Sequence, residues 1–105
     1  MNRNEYGEPL DRNGYAPSLD SGPYCHKCER SDLPLQRHEI FHGSSNRAKS
    51  KKYGCWSLFC YECHMKIHNG QMDEADLKTE FQEKAQEHYG WTKEDFRTIF
   101  GKSYL

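Results

Sequence analysis

Residues 60–68 read CYECHMKIH, two cysteines and two histidines within nine positions, all good metal ligands. A second pair, Cys25 and Cys28 in CHKC, lies upstream, so the chain carries C-x2-C, 31 intervening residues, and C-x2-C again. A pair spaced by two residues lets one tight turn present both thiolates to one ion. Two such turns complete the tetrahedral four-thiolate site that zinc favours. Redox dithiols share the spacing, but they sit in a βαβ context that neither pair has here. His64 and His68 are spaced i, i+4, which on a helix puts both rings on one face, about one turn apart. Cys63 and His64 are neighbours and leave such a helix about 100° apart. With Cys60 and Cys63 committed to the first ion, the two histidines point elsewhere. They can hold a second ion if another segment supplies a further ligand; an isolated pair of this spacing is by default solvated.

The rest of the composition makes a metal staple physically useful. The chain has 105 residues, 34% hydrophobic and 30% charged, with a formal net charge of −1. That is one small domain with a thin core, the class that leans on a metal or disulfide. Five cysteines are an odd number, which argues against a fully paired disulfide framework. Bound structural zinc supplies on the order of 10–16 kcal/mol, more than the net stability of most small domains. No apolar run approaches membrane-spanning length and no signal-peptide core opens the chain, so a soluble cytoplasmic protein is expected. A near-neutral total charge neither favours nor excludes nucleic acid. The local run NRAKSKKYG does bear on it, bringing Arg47, Lys49, Lys51 and Lys52 together, with Arg30 and Arg37 as further cations. Such a run suits phosphate contact, or else forms a solvated charged face.

The elements that must position these residues follow from local pattern. Residues 1–22 are rich in Asn, Gly, Asp and Pro without any period, and read as a disordered tail. LPLQRHEIF alternates, with Leu35, Arg37, Glu39 and Phe41 on one face and Gln36, His38 and Ile40 on the other, which predicts a short strand carrying His38. HGSSNRAKSKKYG reads as a polar, basic loop and CWSLF as a short aromatic strand, with Tyr53, Trp56 and Phe59 as core and Cys55 as a small buried residue. The cluster at 60–68 starts a helix that Asn69-Gly70 ends. Leu77, Phe81, Ala85 and His88 recur at helical spacing, with Asp73 as cap and Gly90 as stop. Thr92 and Asp95 resemble a capping box for a last helix whose buried stripe is Phe96, Ile99 and Phe100, ended by Gly101.

The resulting order is CxxC, a strand with His-Glu, a loop, a strand, and CxxC-His-x3-His on a helix. This resembles the HNH nucleases, the ββα-metal or His-Me finger family, in the branch that carries four cysteines. The match covers residues 25 to about 69. Short phage and prophage HNH proteins are similar further on, in HEIFHGSSNRAKSKKYG and EDFRTIFGKSYL, which extends the resemblance to residue 105. The fold class this implies is small α+β. Residues 1–22 are the tail and 23–105 an HNH nuclease-like domain, with 25–70 the zinc-stapled ββα-metal core and 71–105 a helical extension.

The resemblance implies a DNA endonuclease, phage-encoded and acting in the host cytoplasm. Cys25, Cys28, Cys60 and Cys63 would hold structural Zn2+. His38, His64 and His68 would hold a catalytic divalent cation such as Mg2+, Mn2+, Ni2+ or Zn2+. The partners implied are DNA and the packaging or recombination proteins of a phage, with no membrane. One departure stands out: where the family places its base histidine, this chain has Glu39. Glu39 can be the base, or it can take the metal with His38 as base, or the chain has kept the fold without fast chemistry. His42 is a nearby substitute base. The family's middle Asn falls at Gly54-Cys55, and Asn46 stands earlier in the same loop. A non-catalytic zinc-ribbon module binding nucleic acid or protein is the alternative. Convergence of His38, His64 and His68, apart from the four sulfurs, separates the two readings.

Overall fold

The computed structural model describes residues 2–105. Leu35–Glu39 forms strand β1 and Trp56–Cys60 strand β2, paired antiparallel with Leu35 opposite Cys60 and His38 opposite Ser57. Four helices surround this two-stranded sheet: α1 (Asn46–Lys52), α2 (Tyr61–His68), α3 (Ala75–Tyr89) and α4 (Lys93–Phe100). The fold is small α+β with the four expected cysteines clustered. None of the described helices is long and apolar enough to cross a membrane.

Strand β1 buries His38, and Ile40 and Phe41 follow it into the core, while Gln36 stays exposed. The chain leaves the strand after Glu39, so alternation fails beyond that point and both Ile40 and Phe41 turn inward. The segment 42–54, expected as a loop, contains helix α1. Hydrophobic periodicity could not reveal it, because polar bonds anchor it. The buried Ser50 hydroxyl donates to the Phe41 carbonyl at 2.6 Å and accepts from the Phe41 N–H at 3.0 Å. Lys49 Nζ donates to the Ile99 carbonyl at 2.6 Å.

The C-terminal helices follow their sequence signals closely. Leu77, Phe81 and Ala85 are buried on α3. His88, expected on the same stripe, lies at the surface beside Glu8, and buried Gln82 takes part in the inner face instead. Gln82 is satisfied there, donating to Gln86 and Ser103 and accepting from the Tyr104 N–H. Asp73 Oδ1 accepts from the Ala75 N–H at 2.8 Å, one residue ahead of the Glu74 cap position. The Thr92–Asp95 capping box is complete, and Phe96 and Phe100 pack against Phe41.

Residues 2–22 lie against this body through turns rather than periodic elements. Asn4 is buried and its amide donates to the Lys52 carbonyl at 2.8 Å; the Trp56 indole donates to the Ala16 carbonyl at 2.7 Å. Composition alone cannot register contacts of this kind.

Candidate metal centres

The first C-x2-C turn is fixed from both sides. The Glu29 N–H donates to the Cys25 carbonyl and the Cys25 N–H to the Arg30 carbonyl, each at 2.9 Å. Closing so tightly puts Glu29 at φ 62°, a left-handed conformation that costs a non-glycine residue. The His26 N–H donates to the Leu58 carbonyl at 2.7 Å, docking the turn on β2. The second pair straddles the β2–α2 junction, Cys60 ending the strand and Cys63 sitting one turn into the helix. All four sulfurs lie within 4.8 Å of one another, and Cys28 and Cys60 are 3.8 Å apart. Thiolates around one zinc at about 2.3 Å stand about 3.8 Å apart in a tetrahedron, so the donor set fits that ion. The backbone around Cys25 suits thiolate too. Burial alone would raise Cys25, but N–H groups of Cys28, Cys60 and Lys27 aimed at its sulfur bring it down to about 6. Cys55 is the odd cysteine; it is wholly buried, outside the cluster, and burial raises its thiol.

Behind this site Asp20, His26 and Glu80 approach one another. Each has a partner close by: His26 lies 3.4 Å from Glu80, Asp20 pairs with Lys84 at 3.4 Å, and the His26 ring is held by Ser57 at 2.9 Å. We read this group as the bracing between the first cysteine turn and α3.

The second centre is built by β1 and α2. His38, His64 and His68 bring one ring nitrogen each to within 4.8 Å of the others. They line a cleft of about 150 Å³ together with Arg37, Glu39, His42 and Arg47. His64 Nδ1 faces Gln36 Oε1 at 2.6 Å, so Nδ1 carries the proton and Nε2 keeps its lone pair. His68 Nε2 lies 3.1 Å from that lone pair, a separation that also suits two ligands on one ion. Burial, reinforced by His64, lowers His38 to about 4, with Glu74 opposing the shift. Burial and then the His68 ring lower His64 as well. Neutral imidazole is the metal-binding form, and the downward shifts at His38 and His64 favour it at those two rings. His38 Nε2 is buried without a hydrogen bond among the described residues, its closest counter-charge being Glu74 Oε1 at 3.5 Å.

The other expected site residues divide. Glu39 reaches the cleft, but its carboxylate accepts from the Tyr15 hydroxyl at 2.9 Å and faces Arg47 Nε at 3.6 Å. His42 reaches the cleft and bonds Glu74 at 3.0 Å. Asn46 does not reach it; its amide donates to the Phe100 carbonyl at 3.1 Å. Gly54 has φ 76°, and a Cβ there would stand 2.3 Å from the Pro17 carbonyl, so no side chain can replace it without a shift. Of the basic run only Arg47 faces the cleft. Lys49 is spent on α4, Lys51 lies over the Tyr15 ring and Lys52 pairs with Glu5 at 3.2 Å. Sequence reasoning missed Gln36 and Glu74. Gln36 had a signal, since it shares the strand face of His38; Glu74 lies 36 positions away and had none.

Comparison of the chain with protein-family models, with curated proteins and with solved structures finds no match.

Proposed function

We propose that this chain is a metal-dependent endonuclease of the HNH type that hydrolyses DNA phosphodiester bonds. The observation that carries this reading is the meeting of His38, His64 and His68 in an open cleft, separate from the four-cysteine cluster. A zinc-ribbon binding module needs the cysteines but has no use for three converging imidazoles, one of them buried without a hydrogen bond among the described residues. The donor set suits a divalent cation with open coordination positions. Such a cation, when bound, supplies positive charge to the phosphate and the leaving 3′ oxygen.

The chain's own residues supply the rest. His38 is held rigidly on β1, and His64 is oriented by Gln36, so neither ring needs to reorganise. Arg47 flanks the cleft and suits phosphate contact, whereas Arg37, also at the rim, is paired with Asp11 at 3.2 Å and lies over the Tyr15 ring. Glu39 keeps Arg47 at the rim, through the 3.6 Å pair. The cleft opens to solvent, which lets an attacking water reach a phosphate seated at its mouth.

Incubation of the purified protein with supercoiled plasmid and Mg2+, Mn2+ or Ni2+ tests the reading. Nicked or linear product is expected with at least one metal, and is expected to fall by at least about 10²-fold in His38→Ala and His64→Ala. Zinc-loaded, folded protein that leaves the plasmid intact with all three metals would instead favour the binding module.

A further inference from the structure

Resting on the nuclease reading, we propose that His42 is the proton acceptor in this chain and that Glu74 is its positioning residue. The position that the HNH pattern reserves for a base is occupied by Glu39, whose carboxylate is taken up by the Tyr15 hydroxyl and Arg47. His38 is buried and faces two other rings, an arrangement that suits a ligand. His42 differs from both. It lines the same cleft, its side chain is 40% exposed, and its ring centre lies 6.1 Å from that of His38.

What raises His42 above a solvated loop histidine is its partner. Both oxygens of Glu74 lie close to His42 Nε2, at 3.0 and 3.3 Å, and the Glu74 side chain is only 22% exposed. A half-buried carboxylate on one ring nitrogen fixes the tautomer: Nε2 carries the proton and Nδ1 keeps the lone pair. Nδ1 makes no hydrogen bond to the described residues, which leaves it free to take a proton. This is the base-and-orienting-group arrangement of nucleophile activation, with water as the nucleophile. In the step, a water gives one proton to His42 Nδ1 and its oxygen bonds to phosphorus. The bond from phosphorus to the 3′ oxygen breaks, and that oxygen takes a proton from solvent water. The products are a 5′-phosphate and a 3′-hydroxyl. Glu74 holds the ring and offsets the imidazolium charge that forms.

The test is plasmid nicking by the full chain with Mg2+, comparing wild type, His42→Gly, Glu74→Gln and the double variant. His42→Gly should lower kcat by about 10²-fold or more, with little change in KM. Added imidazole should restore part of that loss, because it fills the vacated space with the same acceptor. Glu74→Gln should lower kcat less, and should cost almost nothing further in the His42→Gly background. Ni2+ affinity and thermal unfolding of His42→Gly should match wild type, separating the role from metal binding and folding. A wild-type rate in His42→Gly overturns the assignment, and so does a loss that imidazole leaves untouched. Wild type that nicks while His42→Gly is unaffected removes this assignment alone. Wild type that leaves the plasmid intact with each of Mg2+, Mn2+ and Ni2+ removes the nuclease reading and this assignment with it.

Discussion

His64 shows how much depends on a single proton. Gln36 Oε1 accepts from its Nδ1, and that bond leaves the Nε2 lone pair facing His68 and the cleft. Cys63, the next residue back, is buried with its sulfur among three others, and burial followed by Cys60 and Cys25 pushes its thiol up to about 12 without a metal. Two adjacent side chains thus join different clusters of candidate ligands, because a helix separates them by about 100°. Cys55 is the useful contrast. It is fully buried, yet it lies outside the cluster and its neighbours are hydrophobic. Cys55→Ala should therefore keep full zinc content and lose at most about 1–2 kcal/mol, the scale of a small core deletion. Metal analysis and urea unfolding of the variant check this, and zinc loss would mean that the cluster needs all five cysteines.

At the scale of elements, helix α1 changes the reading of the basic run most. A solvated loop would offer Arg47, Lys49, Lys51 and Lys52 to phosphate alike, whereas the helix distributes them. Arg47 faces the cleft, and Lys49 caps the carbonyl end of α4 through Ile99. A cation at a helix C-terminus contributes about 0.3–1 kcal/mol. Lys49→Ala should then cost roughly that much stability and little DNA affinity, while Arg47→Ala should weaken DNA binding and reduce its salt slope by about one contact. Binding isotherms at several salt concentrations, with unfolding curves for both variants, separate the two effects. Equal loss of salt slope in both would restore the loop reading. The elements with period or punctuation were legible in the sequence: the strand carrying His38, the helix of Cys63 and His64, and the Thr92–Asp95 box. Helix α1 was not, because Ser50 and Lys49 anchor it with polar bonds to distant backbone. His88 was misplaced for a related reason, since spacing cannot tell a buried ring from one paired with Glu8 on the surface.

For the whole molecule, the two centres share one short frame. Strand β2 and helix α2 carry Cys60, Cys63, His64 and His68 within nine residues, and β1 adds His38 from across the sheet. The core that supports this frame is small, so zinc at the cysteines should carry much of the folding free energy. A cation at the histidines, on an open cleft, should carry little. The sequence could show the candidate ligands of both centres because their spacing is local or their family order is fixed. It could not show Glu74, which the connection from α2 to α3 brings against His38 and His42, nor the packing of residues 2–22, which uses isolated turns. The separation of the centres is the claim on which the functional reading depends. Zinc content and thermal unfolding measured side by side on Cys63→Ser and His64→Ala test it most directly. Cys63→Ser should lose zinc and unfold at lower temperature or fail to fold, while His64→Ala should keep its zinc and melt close to wild type. Zinc loss and unfolding in His64→Ala to the same extent as in Cys63→Ser would contradict it.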